Sequence, residues 1–307
     1  MEQLEQLENA LAKLKNKESK FYFLTQDTVG NAAASVNTNY QYVKHLIDAG
    51  YNAYILHEKT DYKGVSSWLD EEYTKLPHAN IEGGELKVGP QDFVIIPEVF
   101  GHVLEQLMNM PCTKIMLSQC YDYILETLNP GFGWANYNVN KCITTTQEQS
   151  EYIKKLFPSV ETTIITPTIP EYFKDSEKPK RPVIGVHTRD QRETMKLIKS
   201  FYVKYPQFKW VTFRDMRGLT QEEFATTLRE SCLSVWVDDV SGYGTFPLES
   251  MKSGVPVIGK IPTLKPDWMT EDNGIWTIDS NQIVDLVASV FKGWLEDRIP
   301  SDIYDEM

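Results

Sequence analysis

Cysteine is scarce in this sequence, and no uninterrupted apolar stretch is long. The four cysteines, Cys112, Cys120, Cys142 and Cys232, are scattered, and no pair has the Cys-x-x-Cys spacing. This pattern excludes the common zinc-ribbon motifs and indicates reduced thiols. No apolar run approaches the roughly 20 residues that a membrane-spanning helix needs. The first residues are polar and acidic, unlike a secretory signal, so we expect a cytoplasmic protein.

Positive charge is also in deficit. Lysine and arginine total 31 against 43 aspartates and glutamates, which gives a net charge of -12. Such a balance opposes broad binding to nucleic acid or to an anionic membrane surface, although it is compatible with a local basic patch. Hydrophobic residues make up 41% and charged residues 24% of the chain. A length of 307 residues with this composition is typical of a globular protein with two domains.

Leucines recur at helical spacing near the N-terminus, at Leu4, Leu7, Leu11 and Leu14, with charged residues between them. This spacing predicts a leading amphipathic helix over residues 1–20. The helix either packs on its own domain or forms a short dimerisation coil, and two heptads do not distinguish the two.

Short apolar strands alternate with helical patterns after this helix. The segments 21–24, 36–48 and 51–56 read as a β-α-β unit, which implies parallel strands. Further predicted strands are 93–96, 114–118, 142–145, 183–186, 210–213 and 233–237, and further predicted helices are 103–108, 123–128, 147–156, 194–202, 224–229 and 282–295. The fold class is therefore α/β.

The pattern predicts two Rossmann-like domains. We expect the first over residues 1–170, a charged linker over 171–181 and the second over 182–281. A final helix over 282–298 and a short acidic tail over 299–307 follow.

One stretch of the second domain carries the strongest functional signal. From Asp238 to Lys260 the chain reads as a strand end, a glycine loop, a short helix and a buried strand. Gly242 and Gly244 permit close approach of a ligand to the backbone, and a helix N-terminus after such a loop is a ready anion site. Glu249 is expected in the first helical turn, where its carboxylate can accept hydrogen bonds from sugar hydroxyls. The residues alone thus favour a phosphate beside a hydroxylated group, as in a nucleotide.

This stretch resembles the nucleotide-sugar-binding segment of GT-B glycosyltransferases, most of all the retaining family 4 type. Their pattern is Glu-Gly-Phe-Gly, then Glu-Ala-Met-Ala-x-Gly-x-Pro-Val-Ile. Here Ser241-Gly242-Tyr243-Gly244 corresponds to the first part, and the ten residues from Glu249 to Ile258 correspond to the second. Ser241 replaces the first glutamate of the family, which lies near the donor sugar. The resemblance implies a GT-B fold, in which two Rossmann-like domains face each other across a cleft and the last helix crosses back to the first domain.

The resemblance also implies a set of site residues. Glu249, Arg189 and Ser241 take the catalytic positions. The expected donor-binding residues are Gly242, Tyr243, Gly244, Thr245, Phe246, Pro247 and Glu249, together with Arg189, Arg192 and Lys196.

The basic residues of this set have a structural alternative. Arginine suits bidentate contact with a diphosphate and lysine acts as a point charge, yet the same side chains can form a surface salt-bridge cluster with Asp190 and Glu193. His187 is interpreted as a packed or solvated histidine. Arg214 and Asp215 are candidates near the nucleotide base, again by resemblance.

Candidates on the acceptor side follow predicted strands of the first domain. They are Gly30, Asn31, Glu98 and Gln119. Ligands in such sheets bind beyond the carboxyl ends of the strands, which is where these residues are expected. Gly30 and Asn31 are equally compatible with ordinary turn formation, and Glu98 with a solvated loop carboxylate.

The expected function is transfer of a sugar from a nucleotide diphosphate sugar to a hydroxyl acceptor, which is a glycan, a small molecule or modified nucleic acid. Retention of configuration and the absence of a metal or other cofactor are implied by the resemblance. Three alternatives stay open: a non-catalytic GT-B binding module, supported by Ser241, a DNA-modifying glycosyltransferase, and a sugar-nucleotide epimerase.

Overall fold

The chain divides into two compact units, residues 1–166 and 167–307. The computed structural model describes residues 18–28, 33–59, 68–69, 71–82, 86–176, 178–238 and 242–297. Four predictions fall wholly outside these residues: the tail over 299–307 and the site candidates Gly30, Asn31 and Ser241. The leading helix predicted over 1–20 also lies outside them except at its last three residues, which are not helical, since Lys20 begins a strand.

The first unit contains a parallel sheet of seven strands among the described residues, in the order β3-β2-β1-β4-β5-β6-β7. The strands are β1 (Lys20–Leu24), β2 (Asn52–His57), β3 (His78–Asn80), β4 (Phe93–Pro97), β5 (Thr113–Ser118), β6 (Lys141–Thr144) and β7 (Glu161–Ile164), and the helices are α1 (Ala34–Asp48), α2 (Leu104–Leu107) and α3 (Gln147–Leu156).

The central strands of this sheet are apolar on both faces because each face has its own core. Leu24 and Ile96 belong to one hydrophobic cluster, whereas Phe23, Ile95 and Leu117 belong to the other, which includes residues of α1. A sheet covered on both sides removes both sets of side chains from water, which explains the continuous apolar strands of the sequence.

The structure corrects the sequence prediction at several places in the first unit. The α-helix predicted over 123–128 is absent, since a 3-10 segment at Tyr121–Tyr123 is followed by turns over 124–127. Only Leu104–Leu107 of the predicted helix 103–108 is α-helical, after a 3-10 segment at Glu98–Val103. Strands β3 and β7 were not predicted, because they lie at the two edges of the sheet and lack an apolar run. The helix predicted over 147–156 is confirmed.

The second unit repeats the architecture with five parallel strands among its described residues, in the order β12-β11-β10-β8-β9. Its elements are β8 (Arg181–His187), α4 (Gln191–Lys204), β9 (Thr212–Asp215), α5 (Gln221–Glu230), β10 (Ser231–Trp236), α6 (Thr245–Lys252), β11 (Val257–Lys260), β12 (Ile275–Thr277) and α7 (Ile283–Glu296).

Side-chain caps set the starts of two helices in this unit. The Asp190 carboxylate accepts a hydrogen bond from the Arg192 amide, so α4 begins three residues before the predicted start. Arg192 and Lys196 therefore lie on a helix, and Arg192 is not in the loop where the sequence placed it. At α5, Thr220 and Glu223 form a reciprocal capping box, which confirms the predicted threonine cap.

The final helix packs on the second sheet. Helix α7 contacts β10, β11 and α4, and it buries Ile283, Val287 and Phe291. The expected crossing of this helix to the first domain stays a prediction.

The segment predicted as a linker also packs within the second unit. Phe173 is buried, and its carbonyl oxygen accepts a hydrogen bond from the Ser253 hydroxyl at 2.8 Å. The Lys180 ammonium donates to the Ser253 carbonyl oxygen at 2.7 Å. This part of the 171–181 segment is thus anchored to the end of α6 rather than suspended between domains.

Two expectations from composition can be compared with the structure. Cys112, Cys120, Cys142 and Cys232 are free thiols and are all buried. Among the helices that the structure describes, none combines the length and the apolar character needed to traverse a bilayer.

Candidate functional site

Most of the predicted donor-site residues lie where the strands of the second sheet end. His187, the last residue of β8, is level with Trp236, the last residue of β10, and Val186 is level with Asp215 of β9. The loops that follow these strands leave the same edge of a parallel sheet. Crevices at this edge are the usual ligand sites of such folds.

Asp238 ties two of these loops together. Its carboxylate oxygen Oδ1 accepts a hydrogen bond from the Arg189 amide at 2.7 Å, and Oδ2 accepts one from the Trp236 indole at 3.2 Å. The side chain is only 6% exposed. Asp238 therefore fixes the backbone of the residue that the sequence assigned to the diphosphate. Sequence reasoning missed this role, because an aspartate after a strand does not reveal which amide it will meet.

Gly244 shapes the start of α6. It has a φ of 76° and forms the N-cap of the helix, in the left-handed region that glycine tolerates best. A Cβ atom here would lie 3.0 Å from the Trp268 ring and 3.2 Å from the Trp236 ring. The Trp268 indole also donates a hydrogen bond to the Tyr243 carbonyl oxygen at 2.8 Å. These contacts hold the glycine loop against two tryptophans.

The start of α6 has the features that favour anion binding. The first N–H groups of a helix have no partner within the helix, and they carry the positive end of its dipole. Thr245, Phe246 and Pro247 are the first three residues of α6, so Thr245 and Phe246 supply such amides while Pro247 has none to lose. The predicted donor loop from Gly242 therefore leads directly into the first turn of α6, with Gly244 as the N-cap.

Glu249 is the fifth residue of α6, so the expectation that it lies in the first helical turn is wrong. It follows Phe246 by three residues and shares a helix face with it. Its side chain is half-buried, and it makes no hydrogen bond or ion pair with any described residue. Burial raises the pKa of this carboxyl to about 8. A half-buried carboxyl group without a partner among the described residues is suited to ligand hydroxyls.

The three predicted basic residues differ in their surroundings. The Arg189 amide is held by Asp238, while its side chain is exposed. Arg192 lies exposed on the first turn of α4. Lys196 forms an ion pair with Glu193 at 3.8 Å on the same helix, which matches the surface alternative for that residue. Arg189 therefore lies in the loop after β8, Arg192 lies just beyond that loop, and Lys196 lies one helical turn after Arg192.

Arg217 adds a positive charge that the sequence analysis missed. Its guanidinium contacts both carboxylate oxygens of Asp215, with the Nε–Oδ1 distance at 3.0 Å. These hydrogen bonds hold the pKa of Asp215 below its usual range. The sequence predicted that this strand ends at residue 213, whereas β9 ends at Asp215. The predicted loop therefore began at Arg214, which is an exposed strand residue, and Arg217 in the true loop was not named.

Glu98 and Gln119 meet at the carboxyl ends of β4 and β5 in the first unit. The Gln119 amide donates to Glu98 Oε2 at 3.0 Å, and the Cys120 amide donates to Oε1 at 2.6 Å. Glu98 is 3% exposed, so its interpretation as a solvated loop carboxylate is wrong. The Gln119 side chain donates to the Ser35 carbonyl oxygen at 3.2 Å. Both side chains support the loops at this edge, and an acceptor role for them stays a prediction.

A metal site is not found in the parts of the chain that the structure describes. Within these residues, no cluster of three or more His, Cys, Asp or Glu side chains has the arrangement of a metal site. A shallow depression of about 530 Å³ in the first unit is lined by residues such as Lys20 and Asp92. It lies at the amino ends of β1 and β4, at the opposite end of these strands from Glu98.

Comparisons with known proteins identify the enzyme class. No protein-family model matches the sequence. An alpha-1,6-glucosyltransferase of Actinobacillus pleuropneumoniae serotype 7 is 24% identical over 287 residues, covering 86% of this chain and 83% of the relative. S. aureus TarM in complex with UDP matches with a TM-score of 0.61 at 10% identity, covering 89% of this chain and 93% of TarM. The chain is a glycosyltransferase of the GT-B fold. The expectation of that fold and enzyme class is confirmed.

A second solved structure supports the fold assignment of this glycosyltransferase. Anabaena HepE in complex with UDP and glucose matches with a TM-score of 0.57 at 12% identity, covering 90% of this chain and 89% of HepE. Identities this low establish the architecture and not the individual site residues. Membership of the retaining family 4 type therefore stays a prediction.

Proposed function

We propose that this glycosyltransferase transfers glucose from a nucleotide diphosphate sugar to a hydroxyl acceptor, with retention of configuration. The observation that carries the proposal is Glu249, a half-buried carboxyl group without a protein partner on the helix that the glycine loop opens. Glucose is supported by the name of the A. pleuropneumoniae relative and by the glucose bound to HepE. A sugar hydroxyl is the acceptor group that the relative's name suggests.

Each part of the site has a role in this proposal. The Glu249 carboxylate accepts hydrogen bonds from the ribose hydroxyls of the donor. Amides of Gly242, Thr245 and Phe246 face the diphosphate, and Tyr243 and Pro247 line the sugar. Ser241 takes the position beside the donor sugar that the family gives to glutamate.

Positive charge supplies the main catalytic effect. Negative charge develops on the diphosphate as the glycosidic bond breaks, so fixed positive groups beside it stabilise the transition state more than the ground state. Arg189 is the first such group because Asp238 holds its backbone in place, and Arg192 and Lys196 are the next along the chain.

We further propose that the reaction needs no metal, with these cations and the helix N-terminus neutralising the diphosphate. Turnover unchanged by EDTA, and unchanged again by added Mg²⁺ or Mn²⁺, is the expected result. Loss of turnover in EDTA that Mn²⁺ restores would contradict this part of the proposal.

The test is a donor panel with matched variants. The melting temperature and the release of free nucleotide are measured with the glucose conjugates of UDP, GDP, ADP and TDP. One donor should raise the melting temperature by mass action and be hydrolysed slowly. Glu249→Ala should remove both effects, whereas Glu161→Ala should retain them, because Glu161 is an exposed residue of the first unit paired with Lys141.

Two results would count against the proposal. Stabilisation by a donor without turnover, even with glucosides as acceptors, would favour the non-catalytic binding module. No stabilisation by any donor would remove the nucleotide-sugar site itself. With an active donor, NMR of the first-formed product reports the anomeric configuration and tests retention directly.

The cytoplasmic location also remains a proposal. Four free and buried cysteines support it, because such thiols persist in a reducing compartment. Fractionation of the native host cell with detection of the chain would test it.

A further inference from the structure

His187 occupies a central place in the second unit without an evident structural purpose. It ends β8, which lies between β10 and β9 in the sheet. Its ring packs on Phe246 of α6 with the centroids 5.1 Å apart, and its edge meets Phe224 of α5 at 6.4 Å. The imidazole thus contacts aromatic rings of two helices, α6, which carries Glu249, and α5.

The ring nitrogens of His187 have no partner in this environment. Nδ1 is buried and makes no hydrogen bond, and no hydrogen bond from Nε2 to the described residues is found. The residue as a whole keeps partial exposure. Buried polar groups are nearly always hydrogen-bonded, so an unsatisfied one requires an explanation. The interpretation from sequence, a packed or solvated histidine, does not account for the unpaired Nδ1.

Four charged groups face the imidazole, and they come from each neighbouring loop. Asp238 and Asp215 are acidic, and Arg189 and Arg217 are basic. The packed helices α5 and α6 contribute aromatic rings on this side. The acids are already occupied, because Asp238 accepts from Arg189 and Trp236 while Asp215 accepts from Arg217. Both carboxylates thus have other donors, and neither forms a hydrogen bond with His187 among the described residues.

Burial is the main influence on the charge of the imidazole. It lowers the pKa of His187, and the nearby Arg189 and Arg217 act in the same direction against the two aspartates. An anion bound at the two arginines would offset their charges and leave the aspartates to favour protonation.

We propose that His187 is a further donor-binding residue, which takes up a proton as the diphosphate binds and donates a hydrogen bond to it. This inference rests on the proposed function, since it assumes a nucleotide diphosphate sugar at the start of α6. The proton comes from solvent, and no covalent bond changes. Affinity for the donor should then rise as the pH falls towards the pKa of the ligand-free histidine, because the complex binds more protons than the free protein.

Titration calorimetry measures the proton directly. UDP-glucose is titrated at one pH near neutrality in two buffers of different ionisation enthalpy, and the difference gives the protons exchanged. UDP-glucose suits this purpose because both of its phosphates are esterified and do not titrate in this range. Glu249 is expected to release a proton on binding, since its pKa is about 8 in the free protein. We expect His187 to contribute uptake of up to about one proton against that release.

Variants separate the two contributions. His187→Gln cannot take up a proton but keeps an amide donor, so it should shift the exchange towards release and weaken UDP-glucose binding only modestly. His187→Phe keeps the packing on Phe246 but has no donor, so it should shift the exchange in the same way and weaken UDP-glucose binding roughly 10- to 100-fold, the range for a lost hydrogen bond to a charged group. Glu249→Gln should leave net uptake. His102→Gln, an exposed histidine of the first unit paired with Glu58, should exchange protons as wild type does.

The outcomes distinguish failure of the proposed His187 role from failure of the proposed function. Normal UDP-glucose binding by both His187 variants with unchanged proton exchange would overturn the role of His187 and leave the proposed function intact. If wild type binds none of the nucleotide sugars in the donor panel, the proposed function fails first. Release of a full proton by wild type, identical in His187→Phe, would also contradict the inference.

Discussion

Three carboxyl groups fall into two kinds, which are distinguished by their partners and not by their residue type. Glu98 accepts from two backbone amides, and Asp238 accepts from one amide and one indole, so both hold loops in place. Glu249 has no such partner. The first two are structural supports at the ends of parallel strands in their respective units, whereas the third is available to a ligand. Sequence reasoning could name Glu98 and Glu249 as candidates but could not separate their roles.

The pH dependence of stability should report the state of Glu249. Its pKa in the folded protein is about 8 against an ordinary value of 4.5, so the folded state binds the extra proton. Stability from this group is fully present below the ordinary value and is lost as the pH rises through about 8. Glu249→Gln does not lose this stability as the pH rises, because the amide of glutamine does not ionise. We expect the melting temperature of the variant, relative to wild type, to increase from about pH 5 to about pH 9. A constant difference across that range would contradict the assignment.

Removal of the Asp238 carboxylate should weaken both the fold and the donor site. Asp238→Ala leaves the Arg189 amide and the Trp236 indole unpaired, which costs about 1–3 kcal/mol if no water replaces the carboxylate. Urea denaturation measures this loss, and donor titration should show weaker binding because Arg189 is no longer held. Asp238→Asn keeps one acceptor oxygen and should recover part of both. If donor affinity is unchanged in Asp238→Ala, Asp238 does not position Arg189 for the donor.

At the scale of elements, the glycine loop and α6 were the best predicted part of the chain, and the strand ends were the least. Gly244 and Gly254 both have positive φ values, at the two ends of α6, and such local requirements are visible in the sequence. Edge strands β3 and β7 depend on pairing with a neighbouring strand rather than on an apolar run, so the local sequence does not predict them. The Asp190 cap sets the start of α4, and the sequence prediction did not include this cap. Arg192 was therefore predicted in the preceding loop, whereas it lies on the helix.

Substitution of the two glycines of different type tests the role of the α6 start. Gly244→Ala places a Cβ against Trp236 and Trp268 at positive φ, so we expect a loss of about 1–2 kcal/mol from the backbone alone and weaker donor binding. Gly293→Ala is the matched control. Gly293 lies within α7 with nothing near its Cβ position, and alanine there should stabilise by about 0.5–1 kcal/mol. Equal effects in denaturation experiments would show that the α6 start has no special geometry.

At the scale of the whole molecule, positive charge is concentrated locally and each unit has its own hydrophobic core. The chain carries a net charge of -12, yet Arg189, Arg192, Lys196 and Arg217 cluster at or beside the ends of β8 and β9. Each hydrophobic cluster lies wholly within one unit. The second unit therefore has a complete core and all of the described residues proposed to bind the donor.

The second unit should fold and bind donor nucleotide by itself. A fragment of residues 167–307 keeps its own core, and units of this size commonly fold alone. We expect a cooperative thermal transition that the donor nucleotide shifts upward, and no sugar transfer. A fragment that lacks a cooperative transition, or that folds without binding the nucleotide bound by the full chain, would contradict this independence.

The amino-acid sequence by itself determined the α/β class, the doubled architecture and the glycine loop that opens α6. These follow from local requirements: apolar strands covered on both faces, glycines at positive φ and capping side chains act over a few residues. Only the tertiary structure decided which carboxylates are supports, that Arg217 joins the basic residues near the ends of β8 and β9, and that His187 has no hydrogen-bond partner among the described residues. Those properties depend on which strands become neighbours, because hydrogen bonds and charges across the sheet join residues as far apart as Arg189 and Asp238.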